Sequence, residues 1–572
     1  MTFRARLPSV LRVARPPRPT LRCTRRYSTH PPPPPPPASR WAPLLGGLGA
    51  GVALTYTAIS LATTAEEKQK HEYPHPTTKR GAERFGTPEE YRKAIEEIRA
   101  LLPQDDVSTD EEDREVHAAN EWYYGAQQLP TAVAFPHTTE DVQAIVRVCA
   151  KYRVPIIPYG SGTSLEGHFS APYGGVCVNL GRHMDKIVAI HPMDGDAVVQ
   201  AGIGYETLNK ALADQGLNLF FPLDPGPNAS VAGMLSTGCS GPNALRYGSA
   251  RAEWFINVTA VLPDGSIVKT RQRAKKSSTG PDMTKIFIGA EGTLGIVTEV
   301  TLRLTPKQPT RVAVVSFPSV TDAVKAVVDV VNQGVNIQCA ELLDSLFVQA
   351  ANHLGIVPNP LPEKDTLFFK LLGTDAMMDE SERLLREIAQ KHGSIEMRMA
   401  HNDQESDALW AARKGALYAA LAHSGYETPM LYGNDACVPL SALPQYVAEC
   451  QKEMRDKGVY GPIVAHIADG TVHSTVIMRD RSEIPMVDEL VKSFVKKAIA
   501  LDGTCSGEHG IGATKKKYLP SELGDGTCRM MRTIKDSLDP LGIMNPGKLY
   551  PDEPDAPGQD AKYAPPPPAC CT

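Results

Sequence analysis

An α+β protein with two folded domains is what the sequence predicts. Three observations carry that prediction. A chain of 572 residues is longer than one hydrophobic core organises. Between residues 122 and 306, short apolar runs alternate with amphipathic helical stretches and three glycine-rich loops. From residue 311 the pattern becomes a strand–helix–strand–helix alternation, which suits a second α+β domain with helices on one sheet face.

The first 65 residues hold nine arginines and no acid; Glu66 is the first. An arginine-rich, acid-free start reads as a mitochondrial transit peptide over 1–27, with Arg25 and Arg26 just before a cleavage point near Ser28. Removing it takes away eight arginines and leaves the chain distinctly acidic, which argues against a nucleic-acid partner. A proline run opens segment 28–65, followed by 22 uncharged residues at 41–62. That is near the ~20 residues a membrane-spanning helix needs, so an inner-membrane anchor is expected, with an extended presequence as the alternative; the anchor would leave the bulk of the chain in the intermembrane space. Eleven cysteines without a CxxC pair read as free thiols, mostly core filling.

Segment 66–121 is polar and reads as a lead-in. In the domain at 122–306, strand 131–135, helix 138–152 and strand 154–158 form a βαβ unit. Strands follow at 176–179, 188–190 and 197–201, then a helix at 205–215 closed by Gly216. Pro263, Asp264 and Gly265 turn a hairpin between strands 257–262 and 266–270. The domain at 307–550 has strands at 311–317, 337–342, 366–372 and 395–400, with helices at 320–332, 345–352 and 380–392 between them. The proline-rich end, 551–572, reads as a disordered tail.

Three loops carry the binding signal. The first is Pro158, Tyr159, Gly160, Ser161, Gly162, Thr163 and Ser164. The second runs from Pro222, Asp224, Pro225 and Gly226 through Ser230, Gly233, Met234, Thr237 and Gly238 to Asn243, Arg246, Tyr247 and Gly248. The third holds Glu291, Gly292, Thr293, Gly295, Ile296 and Val297. Amides of such loops approach phosphates closely because no Cβ intervenes. One such loop is an ordinary turn; three suggest a large ligand with several phosphate and polar groups. No GxGxxG or Walker motif occurs, so nicotinamide and ATP readings lack support.

A second constellation lies further on. If Asp469-Gly470 is a two-residue hairpin turn, His466 faces His473 directly, and two imidazoles converge on one metal. The same pair could be unrelated histidines beside a turn. Glu508 and His509, between Gly507 and Gly510, could both approach the same site and supply a third ligand, or form a solvated pair on a surface turn.

Taken together, the three loops resemble the FAD domain of the vanillyl-alcohol oxidase family, the PCMH-type flavoproteins. The likeness spans roughly 122–305, and a C-terminal match continues to about 549. It implies a two-subdomain FAD-binding domain plus a C-terminal α+β substrate (cap) domain with an antiparallel sheet covered by helices. It also implies that Asn545 joins the FAD-binding set. The 466–473 and 507–510 segments resemble the D-2-hydroxyacid dehydrogenase branch, although Ala468 and Thr471 stand where that branch has glycine and asparagine. That likeness implies His466, His473 and Glu508 as metal ligands (zinc or manganese), His509 as base and Arg413 as partner of the substrate carboxylate. Gly433 stands where the D-2-hydroxyglutarate enzymes carry a lysine, which favours a small monocarboxylate such as D-lactate, with cytochrome c as implied electron acceptor. D-2-hydroxyglutarate, glycolate and an alkylglycerone-phosphate synthase-like transfer are the alternatives.

Overall fold

The computed structural model describes residues 84–552 apart from 119, 121, 122, 124, 126, 127 and 358. The expected transit peptide, the 41–62 anchor and all but the first two residues of the expected tail lie outside the described residues. Among the described helices none is long and apolar enough to cross a membrane.

Two larger sheets build the N-terminal half, beside a two-stranded pairing of Leu219–Phe220 with Thr305–Pro306. In the first, Ala132–Ala134, Val176–Asn179 and Ile156–Tyr159 run parallel, and Val107–Ser108 adds an antiparallel edge. Helix Thr139–Tyr152 is the crossover of this βαβ unit. Thr138 and Asp141 form a reciprocal capping box at its start, worth about 1 kcal/mol. Val142, Ile145, Val146 and Cys149 recur at helical spacing and bury one face. The second sheet is antiparallel, ordered Ile187–His191, Asp196–Gln200, Ile296–Arg303, Phe255–Val261, Ile267–Lys269. One hydrophobic core joins both sheets.

Two distant pieces of chain enter that core. Helix Pro88–Leu101 supplies Tyr91, Ala94, Ile95 and Ile98, although its segment reads as a mere lead-in. Ile543 and Met544 return from the far end, where the Ile156 amide donates to the Ile543 carbonyl at 2.8 Å.

The C-terminal half is a seven-stranded antiparallel sheet. Its order is Glu396–Met399, Thr310–Phe317, Asp365–Leu372, Ile337–Leu343, Ile463–His466, Thr471–Met478, Met430–Cys437. Helices cover both of its faces, not one as the sequence suggests. Val320–Asn332, Asp375–Lys391, Leu443–Asp456 and Ile484–Ala500 pack on one face. Ser345–His353 and Asp403–His423 pack on the other. The reason lies in the strands: 312 and 314 feed one core while 313 and 315 feed the other, so neither face is left to water.

All eight cysteines among the described residues are free, and six of them are buried.

Candidate functional site

A cavity of about 720 Å³ opens where the three glycine loops meet. The whole first loop, Pro158 to Ser164, lines it. Asn120 clamps that loop by donating to the Gly162 and Ser164 carbonyls, at 3.1 and 2.7 Å. From the second loop Pro225, Gly226, Ser230, Gly233, Met234 and Thr237 reach the cavity, and from the third Glu291, Gly292, Gly295, Ile296 and Val297. Asn545 closes it. A Cβ on Gly160 would lie 2.3 Å from Ser230 Oγ, and one on Gly292, at φ +69°, would lie 2.8 Å from Pro158 Cγ. Only glycine lets these loops approach so closely. Amides packed this way form the cradle a dinucleotide pyrophosphate requires, so the residues present fit FAD.

Other residues of the expected flavin set do not line the cavity. Thr293 is buried, and its hydroxyl donates to the Ala290 carbonyl at 2.6 Å, which staples the third loop. Thr237 lines the cavity, but its hydroxyl donates back to Gly233 O, four residues earlier. Asn243 donates to Pro222 O, its amide to Asp224, and Arg246 pairs with Asn336. Pro222, Asp224, Gly238, Asn243, Arg246, Tyr247 and Gly248 thus stand behind the lining and hold the second loop in shape.

Glu291 lines the cavity, yet its carboxylate is spent elsewhere. It accepts from the amides of Ile511 and Gly512 at 2.6 and 2.8 Å and lies 3.2 Å from His168 Nε2. Burial pushes this carboxyl up, but His168 and the two amides outweigh it and hold the pKa below the usual range. The third flavin loop is thereby tied to the segment that carries His509.

The acid–histidine centre is built on one face of the seven-stranded sheet, and register explains why. His466 pairs with Thr471 and Val464 with His473, so the connecting turn spans the four residues 467–470. The two-residue turn read from the sequence is therefore wrong, and the histidines are diagonal rather than opposed. The shift is an even number of residues, so both still share one face. Their ring centroids lie 5.2 Å apart. Gly470, at φ +82°, allows the tight turn; a Cβ there would lie 2.1 Å from Val438 O. Leu343 pairs with Val464, and Asp435 with His473, which brings Glu341 and Asp435 to the same face.

Glu508 completes the group. Its Oε1 is 3.2 Å from His466 Nε2 and 3.0 Å from His473 Nε2, and its Oε2 is buried without a partner. Burial pushes the Glu508 carboxyl up, but the two histidines outweigh it and keep the pKa well below the usual range. Two imidazoles and a carboxylate with an unmet oxygen are a donor set that fits a divalent cation. Asp435, fully buried, accepts from Ser506 Oγ and the amides of Glu508 and His509 at 2.8, 3.0 and 2.8 Å. Lys515, also buried, lies 3.0 Å from Glu166 and 3.6 Å from Asp435.

His509 lines the cavity and stacks on His473. Burial drives its pKa below the ordinary histidine value despite the nearby Asp435, which favours the neutral ring. Arg413 is half-buried beside this centre, one helical turn before Leu417 of the cavity wall. Its Nε donates to Glu341 Oε2 at 2.9 Å. Glu341, Asp435, Lys515 and Glu166 escape sequence reasoning; a single acid inside the apolar run 339–343 is the only signal that points to Glu341.

Away from the cavity, Asp106, His137 and His183 converge. The two rings stack face to face at 4.0 Å, 12° from parallel, so their lone pairs run side by side instead of toward one point. Each Nε2 meets one oxygen of Asp106, at 2.7 and 3.0 Å. This is a hydrogen-bonded latch between segments.

Comparison with known proteins agrees with this geometry. Residues 130–271 match the FAD binding domain, and 306–549 match the C-terminal domain of the FAD linked oxidases. The chain belongs to this family of FAD-dependent oxidoreductases. Within it, the chain is 40% identical to the mitochondrial D-lactate dehydrogenase [cytochrome] of Arabidopsis thaliana, over 80% of each chain. It is 37% identical to the mitochondrial D-lactate dehydrogenase [cytochrome] 1 of Saccharomyces cerevisiae, over 82% of this chain and 81% of that one. A solved alkyldihydroxyacetonephosphate synthase superposes with a TM-score of 0.62 at 19% identity, over 84% of this chain and 90% of that one, and so shares the fold.

Proposed function

We propose that the protein oxidises D-lactate to pyruvate, with FAD as hydride acceptor and a divalent cation, zinc or manganese, held by His466, His473 and Glu508. The observation that carries this reading is the place of the acid–histidine centre: Glu508 and His509 form part of the wall of the flavin cavity. When bound, FAD supplies the acceptor for the hydride from the substrate carbon, and the cation polarises the substrate hydroxyl.

The chain's own residues do the rest. Neutral His509 takes the hydroxyl proton, and Asp435 fixes its backbone through the amide bond at 2.8 Å. Arg413 keeps guanidinium hydrogens beyond those given to Glu341, which suits it to a substrate carboxylate. At Gly433 a Cβ would meet nothing within 4 Å, so no side chain stands there to hold a second carboxylate. This favours lactate over D-2-hydroxyglutarate.

The names of the relatives support mitochondria and a cytochrome acceptor. We take the chain to lie at the inner membrane, facing the intermembrane space, with basic cytochrome c drawn to its acidic processed form. The domain limits 122–306 and 307–550 and the flavin residues named above are part of the same proposal.

The test is anaerobic mixing of the FAD-loaded protein with D-lactate, L-lactate, glycolate and D-2-hydroxyglutarate, with flavin bleaching as readout. D-lactate should bleach fastest. His509→Ala should keep FAD and lose ~100- to 10,000-fold in reduction rate. Faster bleaching by another acid would move the substrate, and an undiminished rate in the variant would remove His509 from the reaction.

A further inference from the structure

Glu341 is a fully buried carboxylate in the middle of the seven-stranded sheet. A charge there is costly unless it is paired and hydrogen-bonded. It has two partners. His466 Nδ1 lies 2.8 Å from Oε1 and 2.9 Å from Oε2. Arg413 Nε donates to Oε2 at 2.9 Å, and Nη2 is 2.8 Å from the same oxygen. The three residues come from a central strand, a hairpin strand and a helix on the sheet's face, and one acid joins them.

We propose that Glu341 is a positioning residue that sets the cation site and the carboxylate anchor together. A carboxylate cannot donate, so the proton of a neutral His466 must sit on Nδ1. Nε2 then presents a lone pair toward Glu508 Oε1, 3.2 Å away. A lone pair facing a carboxylate is repulsive unless a proton or a cation lies between them. Glu341 therefore selects the tautomer that can ligate, and raises the basicity of the ligating nitrogen. The same acid occupies one edge of the Arg413 guanidinium and leaves Nη1 for a second carboxylate. Loading of the cation and orientation of the substrate anchor are thus set by one side chain, which acts through His466 and Arg413.

The inference rests on the metal-assisted reading given above. Its test uses FAD-loaded wild type, Glu341→Gln and Glu341→Asp, stripped of metal and titrated with Mn²⁺ and with Zn²⁺. Bound metal, flavin absorbance, thermal unfolding and D-lactate kinetics are read on each. Glu341→Gln should keep its FAD and melt somewhat lower because Arg413 loses its buried counter-charge, lose about 10- to 100-fold in metal affinity, and raise the lactate KM. Glu341→Asp, one methylene shorter, keeps the charge but reaches only one partner. It should recover either metal affinity or KM, not both. Wild-type metal affinity and KM in Glu341→Gln overturn the proposal. So does a parallel loss of FAD, melting temperature and metal in both variants, which marks Glu341 as a packing group only. A wild-type protein that binds neither cation, yet is reduced by D-lactate, overturns the metal reading itself.

Discussion

Replacing Glu291 by glutamine tests whether the flavin loop and the His509 segment move as one body. The Glu291 side chain is only 1% exposed, and its two oxygens take the amides of Ile511 and Gly512. In glutamine one oxygen remains an acceptor, while the new amide group meets a backbone N–H donor to donor. The orphaned amide costs roughly 1–3 kcal/mol, and the surviving bond loses its charge assistance, about 1 kcal/mol more. The total of ~2–4 kcal/mol corresponds to a rise of about 30- to 700-fold in the open population of the 507–512 segment. Hydrogen exchange of amides 507–512, read by mass spectrometry, should show that loss of protection. Flavin reduction by D-lactate should slow because His509 is no longer held against the cavity. FAD itself should stay bound, since the first two loops are untouched. Wild-type protection together with a wild-type reduction rate would refute the coupling. The native pKa of Glu291 is lowered, so its stabilisation is present above the ordinary carboxylate value of about 4.3 and fades as pH falls through the folded value.

Three more perturbations follow from the same geometry. Gly292→Val puts a branched side chain at φ +69° against Pro158 Cγ, and the purified protein should be colourless, as the ratio of flavin to protein absorbance would show. Asp435→Asn removes the charge that faces buried Lys515 and weakens three hydrogen bonds; Glu166 still pairs with Lys515, so the loss falls near the low end of ~3–5 kcal/mol, read as a lower denaturant midpoint. At Asp106, burial pushes the carboxyl up, but bonds from His137 and His183 prevail and lower its pKa. The latch therefore stabilises above the ordinary aspartate value near ~3.9 and is lost as pH falls through the lower folded value. Asp106→Asn should be the less stable protein at pH 7, with the gap to wild type closing on acidification.

Sequence by itself determined what depends on near neighbours. The apolar period of 139–152, the strand lengths and the glycine loops are local properties, and they gave the two-part α+β fold and the flavin cradle. The Gly-Glu-His-Gly segment was also legible, because two glycines around two functional side chains occur within four residues. Tertiary structure decided the rest. Nothing local to Thr293 announced that its hydroxyl would bond the Ala290 carbonyl of its own loop. The turn after His466 proved two residues longer than its Asp-Gly pair suggested, because the loop packs against Val438. Glu341 and His466 are 125 positions apart, and only the pairing of the strands that carry them brings an acid to that imidazole. Strand order and register are choices among many pairings of similar local pattern; packing of both sheet faces makes that choice, and no short stretch of sequence contains it.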